Sequence, residues 1–422
     1  MAPKKRDTLV RILPVQTVSH SSKTQSVAIV GSGPAGLMAA SVIAQAGHRV
    51  VVFEKRPALG RKILIAGSSG LNISFDSTHE EFQKNYSGSK ERWAYALREF
   101  SPHRWIEFIQ ALGLETFKGT SGRYFVKGMK GAALLRAWTD SLKARGVEFL
   151  TQSECTDLER TANGVKLKIN DEWLEFSAAL FALGGGSWEK TGQETSWPKI
   201  FSRHGIRITP FESANCGFQV KWPAELIKEV DGQPLKNIVL TSNLGSRAGE
   251  LTVTQYGLEG TPIYAKGESG TIWIDLKPAL STEEIFKRLN ATQEKLSPIR
   301  RIKKHLNLSP ASLALLFHMT PKEILTDMNL LVSHLKKFPI TLGNRQPLDE
   351  AISSTGGLAW DELDDSYMLT KLPGVFAAGE MLDWTAPTGG FLIQGCVSQG
   401  YVAAAGFLKF LNLSPNATKS PE

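Results

Sequence analysis

Residues 27–55 read VAIVGSGPAGLMAASVIAQAGHRVVVFEK, and this stretch decides the fold. Val27-Ala28-Ile29-Val30 is a short apolar run of the kind buried on both faces of a parallel sheet. Gly31-Ser32-Gly33-Pro34-Ala35-Gly36 then fits G-x-G-x-x-G at a strand-to-helix junction. In that pattern Gly31 makes the tight turn, Gly33 lets the backbone approach a pyrophosphate, and Gly36 lets helix and strand pack closely. Pro34 suits a first helical turn, where a missing N–H costs nothing. Leu37 to Ala46 reads as an alanine-rich helix ended by Gly47, and His48 to Phe53 as a second strand with Glu54 at its tip.

The chemistry follows from that order of elements. Free N–H groups at a helix start, with the helix dipole behind them, bind a diphosphate. Glu54 stands where a carboxylate accepts hydrogen bonds from a ribose 2′-hydroxyl, which favours FAD or NAD over NADP. Strand, glycine turn, helix, second strand and terminal acid all agree, so the motif is read as a nucleotide site.

The chain has 422 residues, 42% of them apolar, enough for two or three domains with real cores. Net charge is +8, and Met1 to Gln25 supplies half of it through Lys4, Lys5, Arg6, Arg11 and Lys23 against Asp7. The remainder is mildly basic, so no nucleic-acid surface is expected. Cys155, Cys216 and Cys396 are too few and too scattered for a disulfide framework or a zinc site, and a reducing, cytoplasmic setting is the natural reading. No run of ~18 apolar residues is evident, so no membrane span is expected. Residues 1–24 lack the apolar segment of a secretory signal; they read as a disordered basic tail, with an organellar transit segment as the alternative.

Glu54 is followed by a basic loop rich in glycine and serine, from Lys55 through Gly60-Arg61-Lys62 to Gly67-Ser68-Ser69-Gly70-Leu71-Asn72. Lys55, Arg61 and Lys62 suit phosphates, and Ser68 and Asn72 offer hydrogen bonds to a ribityl chain or a ring edge. Trp93 to Phe117 and Lys130 to Arg145 have helical spacing, with a short strand at Gly122 to Val126 between them. Val147 to Gln152 and Val165 to Ile169 read as strands, and Cys155, just past the first, is a further cofactor-side candidate. Ala178 to Ser187 is another buried strand whose tip, Gly184-Gly185, lets a nucleotide come close.

The first domain is expected over 25–190. From 191 to 344 short β-like runs separated by Gly, Pro and Asn give a β-rich insert, with a helical subdomain at about 281–335. Residues 345–412 return to the first domain, and 413–422 form a tail. In the return, Val375 to Glu380 is an apolar strand closing on Gly379-Glu380, and Gly389-Gly390-Phe391 opens a helix. A strand ending in Gly-Glu before a glycine-led helix is a second contact for a long cofactor, and the helix start favours negative charge on a reduced ring.

These motifs, together with Leu183-Gly184-Gly185, Gly249-Glu250 and Thr254 to Gly260, resemble the bacterial flavoproteins of the aminoacetone-oxidase family, which includes a bile-acid reductase type. The resemblance covers about residues 25 to 412. It implies an α/β, glutathione-reductase-type FAD-binding Rossmann domain interrupted by the insert. It also implies pyrophosphate contact at Gly31, Gly33 and Gly36, adenosine ribose at Glu54, ribityl or pyrophosphate contact at Glu380, and flavin proximity for Lys62, Asn72 and Gly389 to Phe391. Where many relatives carry Gly-Gly-Gly-Arg-Cys-Asn, this chain has Gly67-Ser68-Ser69-Gly70-Leu71-Asn72, without that arginine and cysteine.

The function expected is an FAD-dependent oxidoreductase that moves a hydride between flavin and a small organic substrate bound between domain and insert. No second G-x-G-x-x-G with a following acid is visible, so NAD(P)H, if it is the electron donor, visits the substrate pocket. The alternatives are an NAD(P)H-driven reductase of an unsaturated carbonyl compound, an RNA-modifying flavoprotein, and a flavin-binding protein without turnover. No acid or base stands out. Tyr256 is read as a packed aromatic with a proton relay as the alternative, and Cys396 as an inert buried thiol. His204, His305, His318 and His334 lack ligand spacing, and no metal is expected.

Overall fold

Ser26–Val30 (β1), Pro34–Gln45 (α1), Arg49–Glu54 (β2) and Arg61–Ala66 (α2) follow one another in the computed structural model, which describes residues 24–66, 70–128, 130–187, 196–291 and 296–413. β1 lies at the centre of a five-stranded sheet, ordered Val375–Ala377, Ala179–Phe181, β1, β2, Glu148–Thr151. Every pairing in it is parallel, with Ala28 opposite both Ala179 and Val51. Val27, Ala28, Ile29 and Val30 are all buried, as a central parallel strand covered on both faces requires.

Pro34 sits in the first turn of α1, and Leu37, Met38, Val42 and Ile43 are buried beneath it, each contributing ~1.5–3 kcal/mol. The helix Phe391–Leu413 packs on α1, and only a glycine fits at 400, since a Cβ there would lie 2.3 Å from the Ala35 carbonyl oxygen. By length and mean hydropathy this last helix is long and apolar enough to cross a membrane, although Gln394, Ser398, Gln399 and Lys409 break its apolar run. It has 23 residues and a mean hydropathy of 1.3, but 83% of that window is buried inside the fold. Its polar residues are internal ties: Gln394 accepts from Ser74 Oγ at 2.9 Å, and Ser398 Oγ donates to the Phe100 carbonyl at 2.7 Å.

The chain divides into two compact units, 1–212 with 354–422, and 213–353. The insert's edges therefore fall at 213 and 353 rather than at 191 and 344. Residues 197–212 stay with the first unit because Phe201, on the helix Trp197–Ser202, packs edge-on against Phe181 of the parallel sheet. The first unit also carries two three-stranded antiparallel sheets, one of Asn72–Phe75, Arg123–Val126 and Thr116–Lys118, the other spanning Cys155–Phe176. The helical run expected over 93–117 is two helices, Lys90–Glu99 and Pro102–Ala111. Each has a serine cap, Ser89 and Ser101, and Pro102 starts the second. By itself the second unit, in its described residues, is a six-stranded antiparallel sheet with seven short α-helices, Ala224–Val230, Thr261–Lys266 and five from Thr282–Asn290 through Met328–Lys336, and its own apolar core.

Candidate functional site

A cleft opens in the first unit at the carboxyl ends of β1, β2, Ala179–Phe181 and Val375–Ala377. This is where parallel α/β sheets place their ligands. The glycine turn forms one wall. Gly31 has φ +106° and donates to the Phe53 carbonyl at 2.8 Å; a Cβ there would lie 2.3 Å from the Ala182 carbonyl oxygen. A Cβ on Gly36 would lie 2.0 Å from the Gly31 carbonyl oxygen, so helix and turn touch backbone to backbone. Gly33 differs, because a Cβ there would meet no protein atom within 4 Å. Packing therefore does not demand glycine at 33, and the turn leaves open space there, facing the cleft.

Glu54, at the tip of β2, is held by the chain. Its Oε2 accepts from the Ser32 N–H at 3.2 Å and from Ser32 Oγ, and its Oε1 accepts from the Arg56 N–H at 3.0 Å. A carboxylate has about four acceptor positions, so one remains for a further donor. Ser32 Oγ also accepts from the Gly60 N–H at 3.0 Å, which ties the following segment to the glycine turn. That segment corrects the expectation of a loop: Arg61 and Lys62 lie on α2, which buries Ile63 against the core. Gly60, at φ +57°, makes the turn that starts it.

On the opposite side Lys62 and Glu380, 318 residues apart, meet at 3.3 Å between Nζ and Oε2. Lys62 Nζ also donates to Ser187 Oγ at 3.2 Å. Glu380 is 17% exposed and Lys62 37%, so the ammonium is reachable from the cleft while its partner is mostly enclosed. Cys396 lines the same space. Burial, with the Glu380 carboxylate adding to it, pushes its thiol well above the ordinary range, so it keeps its proton. Cys155 lines the cleft at the Ser153-Glu154 side; burial raises its thiol to about 12, and it donates to the Asp157 carbonyl at 3.4 Å.

The cleft thus brings together Gly31, Gly33, Pro34, Ala35, Glu54, Lys55, Arg61, Lys62, Cys155, Gly184, Gly185, Gly379 and Glu380. Gly36 lies behind the turn. Asn72, Gly389, Gly390 and Phe391 gather at the antiparallel strands instead. Gly390, at φ +104°, would place a Cβ 2.6 Å from the Ser74 nitrogen, and the Phe391 ring stacks on Phe75 at 5.3 Å and lies tilted against Phe82 at 4.7 Å. Phe391 is a buried core residue, and Asn72 Oδ1 is a buried acceptor with no partner among the described protein atoms. Ser68 lies outside the described residues. Tyr256, in the second unit, is tied by its hydroxyl to Glu259; burial, then that carboxylate, raises its pKa.

Sequence reading missed three contributors. Ser32 lies inside the motif, and its hydroxyl at a helix start was the available signal. Ser187 follows the three glycines of a strand tip. Ser354 Oγ accepts from the Gly186 N–H at 2.9 Å and fixes that tip, which no local pattern announces.

The donor set fits a dinucleotide: a bare helix start for the diphosphate, a fixed carboxylate for a ribose, and a second strand tip ending in Gly379-Glu380 beyond them. Residues 25–406 match the family described as HI0933-like protein Rossmann domain. Among curated proteins, the chain is 23% identical over 389 residues to a ribosomal RNA dihydrouridine synthase of Escherichia coli, covering 89% of this chain and 96% of that one. It is 24% identical over 400 residues to the protein of the same name from Haemophilus influenzae, with the same shares covered. Among solved structures it is similar to a 3-ketosteroid-Δ4-(5α)-dehydrogenase of Rhodococcus jostii (TM-score 0.49, 15% identity, 93% of this chain and 98% of that one). It is also similar to a quinol fumarate reductase of Escherichia coli (TM-score 0.47, 14% identity, 95% and 72%). The cofactor is FAD, as the sequence leads one to expect. The chain belongs to the HI0933-like protein Rossmann domain family.

Proposed function

We propose that this flavoprotein is a reductase of an unsaturated carbonyl compound, namely the uracil ring of a ribosomal RNA, with NAD(P)H as the electron donor. The observation that carries the reading is the Lys62 ammonium, which lines the cofactor cleft while held by Glu380 and Ser187. The substrate class comes from the two relatives named ribosomal RNA dihydrouridine synthase, each aligned over 96% of its own length. The expectation of no nucleic-acid partner gives way to this reading.

Reduction of a carbon–carbon double bond conjugated to a carbonyl adds a hydride to one carbon and a proton to its neighbour. The hydride would come from FAD held at this cleft, with NAD(P)H as its reductant. The protein's share is to hold the ring and deliver the proton. Lys62 Nζ carries transferable protons, and Glu380 keeps the ammonium in place and stabilises its charge. Cys396 lies in the same cleft, but its raised pKa makes it a poor acid near neutrality.

The test is to load the protein with FAD and add NADH or NADPH with transcribed ribosomal RNA. Flavin bleaching is followed by absorbance, and uridine by mass spectrometry of the digested RNA. Dihydrouridine should form, and Lys62→Met should keep its flavin but lose roughly 10²-fold or more in rate. Uridine left unchanged by flavin-loaded protein that its donor does bleach would refute the substrate.

A further inference from the structure

The helix Pro298–His305 in the second unit concentrates positive charge, and the last turn of its neighbour Thr282–Asn290 adds Lys287 and Arg288. Residues 213–353 hold seventeen Lys and Arg against fourteen Asp and Glu. Seven of those basic residues and three acids, Glu283, Glu284 and Glu294, fall in 282–305, which leaves ten basic and eleven acidic residues for the rest of the unit. The unit is thus slightly acidic outside this one patch. A chain-wide count hides the patch, and the basic N-terminal tail draws attention away from it.

Local packing builds the patch. Arg301 donates to the Leu289 carbonyl and, at 3.4 Å, to Asn290 Oδ1, which fastens the basic helix beside the end of its neighbour. The apolar residues Ile285, Leu289 and Ile302 are buried, so the charged residues turn outward. Lys287, Arg288, Arg300, Lys303 and Lys304 are all exposed. Arg300, Lys303 and Lys304 occupy one face, at the three- and four-residue spacing of helix neighbours. None of Lys287, Arg288, Arg300 and Lys303 is ion-paired with a described carboxylate.

We infer that this two-helix face, centred on Arg300, Lys303 and Lys304, is a docking surface for the phosphate backbone of RNA. The inference rests on the RNA-substrate reading above and adds the protein surface that would hold the polymer. Exposed basic groups on adjacent helices match the spaced charges of a nucleic-acid backbone, and they bind by releasing its counterions. A membrane surface fits less well. Helices that lie on bilayers put large apolar residues beside their basic ones, and no exposed large hydrophobic residue lies on these two helices.

The experiment measures binding of flavin-loaded protein to a transcribed ribosomal RNA fragment by fluorescence anisotropy over a salt series. The wild type is compared with the triple variant Arg300→Gln, Lys303→Gln, Lys304→Gln. A control triple, Lys221→Gln, Lys228→Gln, Lys236→Gln, removes the same charge from exposed sites elsewhere in the unit. The first variant should bind more weakly, and its log–log salt slope should be shallower by about 2, or ~0.7 for each phosphate contact removed from a single strand. The control should match the wild type, and both variants should keep their flavin and its bleaching by NAD(P)H. Equal loss in both triples, or loss in neither, overturns the proposal, as does weakening of binding to phosphatidylserine vesicles but not to RNA. If the slope changes as stated while the wild type makes no dihydrouridine, the surface stands and the substrate reading falls.

Discussion

Glu54 carries two duties. The proposed one is to offer an acceptor to the adenosine ribose; the observed one is to fasten the glycine turn through Ser32 and the following segment through the Arg56 N–H. Replacing it with alanine removes a hydrogen bond to a charged group, worth ~1.5–3 kcal/mol, and loosens the turn as well. Glu54→Ala should therefore raise the dissociation constant for FAD about 10- to 100-fold, read by flavin fluorescence in a titration of apoprotein. Full flavin occupancy in the purified variant would place the ribose elsewhere. The place of Glu54 at a strand tip lining the cleft was legible because motif, strand and acid follow one another within 24 residues, from 31 to 54. The Lys62–Glu380 contact was not. Each residue was a candidate on its own, but their meeting depends on which strands neighbour β1, and nothing local encodes that order.

Among the elements, the glycine turn separates folding from binding. Gly36 has no room for a methyl group, because the nearest atom is a backbone oxygen that flexible side chains cannot move aside. Gly36→Ala should push α1 away from β1 and lower stability by about 1–3 kcal/mol, seen as a fall in Tm. Gly33→Ala has room within the protein and a φ of −71° that alanine adopts freely. Its apoprotein should melt with the wild type but retain little FAD. If Gly33→Ala melted early, or bound flavin normally, the open space at that turn would not be the diphosphate seat. The strands were readable here since a parallel strand covered on both faces must be an apolar run. The end of the second strand tip was less readable. Gly389-Gly390-Phe391 suggested a flavin contact, but an aromatic residue beside glycines also suits a core corner, and Phe391 packs among Phe75, Phe82 and Tyr86.

At the level of the whole molecule, the two-unit organisation could be anticipated from the change in character after the strand that ends at Gly184-Gly185, but its edges could not. Residues 197–212 have the mixed composition of an insert, and contacts distant in sequence, Phe201 on Phe181, Arg203 on Asp157 and His204 on the Leu158 carbonyl, assign their helix to the first unit. The three cysteines were expected to be reduced, and Cys396 to be inert. All three are buried free thiols, in both units, and burial raises the pKa of each. The consequence for stability has a definite sign. Below the unfolded-state thiol pKa of about 8.5, folded and unfolded chains hold these protons equally. Above it the unfolded chain releases them while the folded chain retains them, so stability is lost as pH rises toward the folded value, about 12 for Cys155. By pH ~10 that amounts to about 2 kcal/mol from Cys155 alone. Tyr86 and Tyr367, also raised by burial, begin to contribute only near pH ~10, so the interval from about 8.5 to 10 isolates the thiols. Urea midpoints should fall across that interval in the wild type and fall less in a Cys155→Ala, Cys396→Ala variant, whatever its stability at neutral pH. Parallel pH profiles for the two proteins would mean that the thiols ionise as readily folded as unfolded, and burial would not then be governing them.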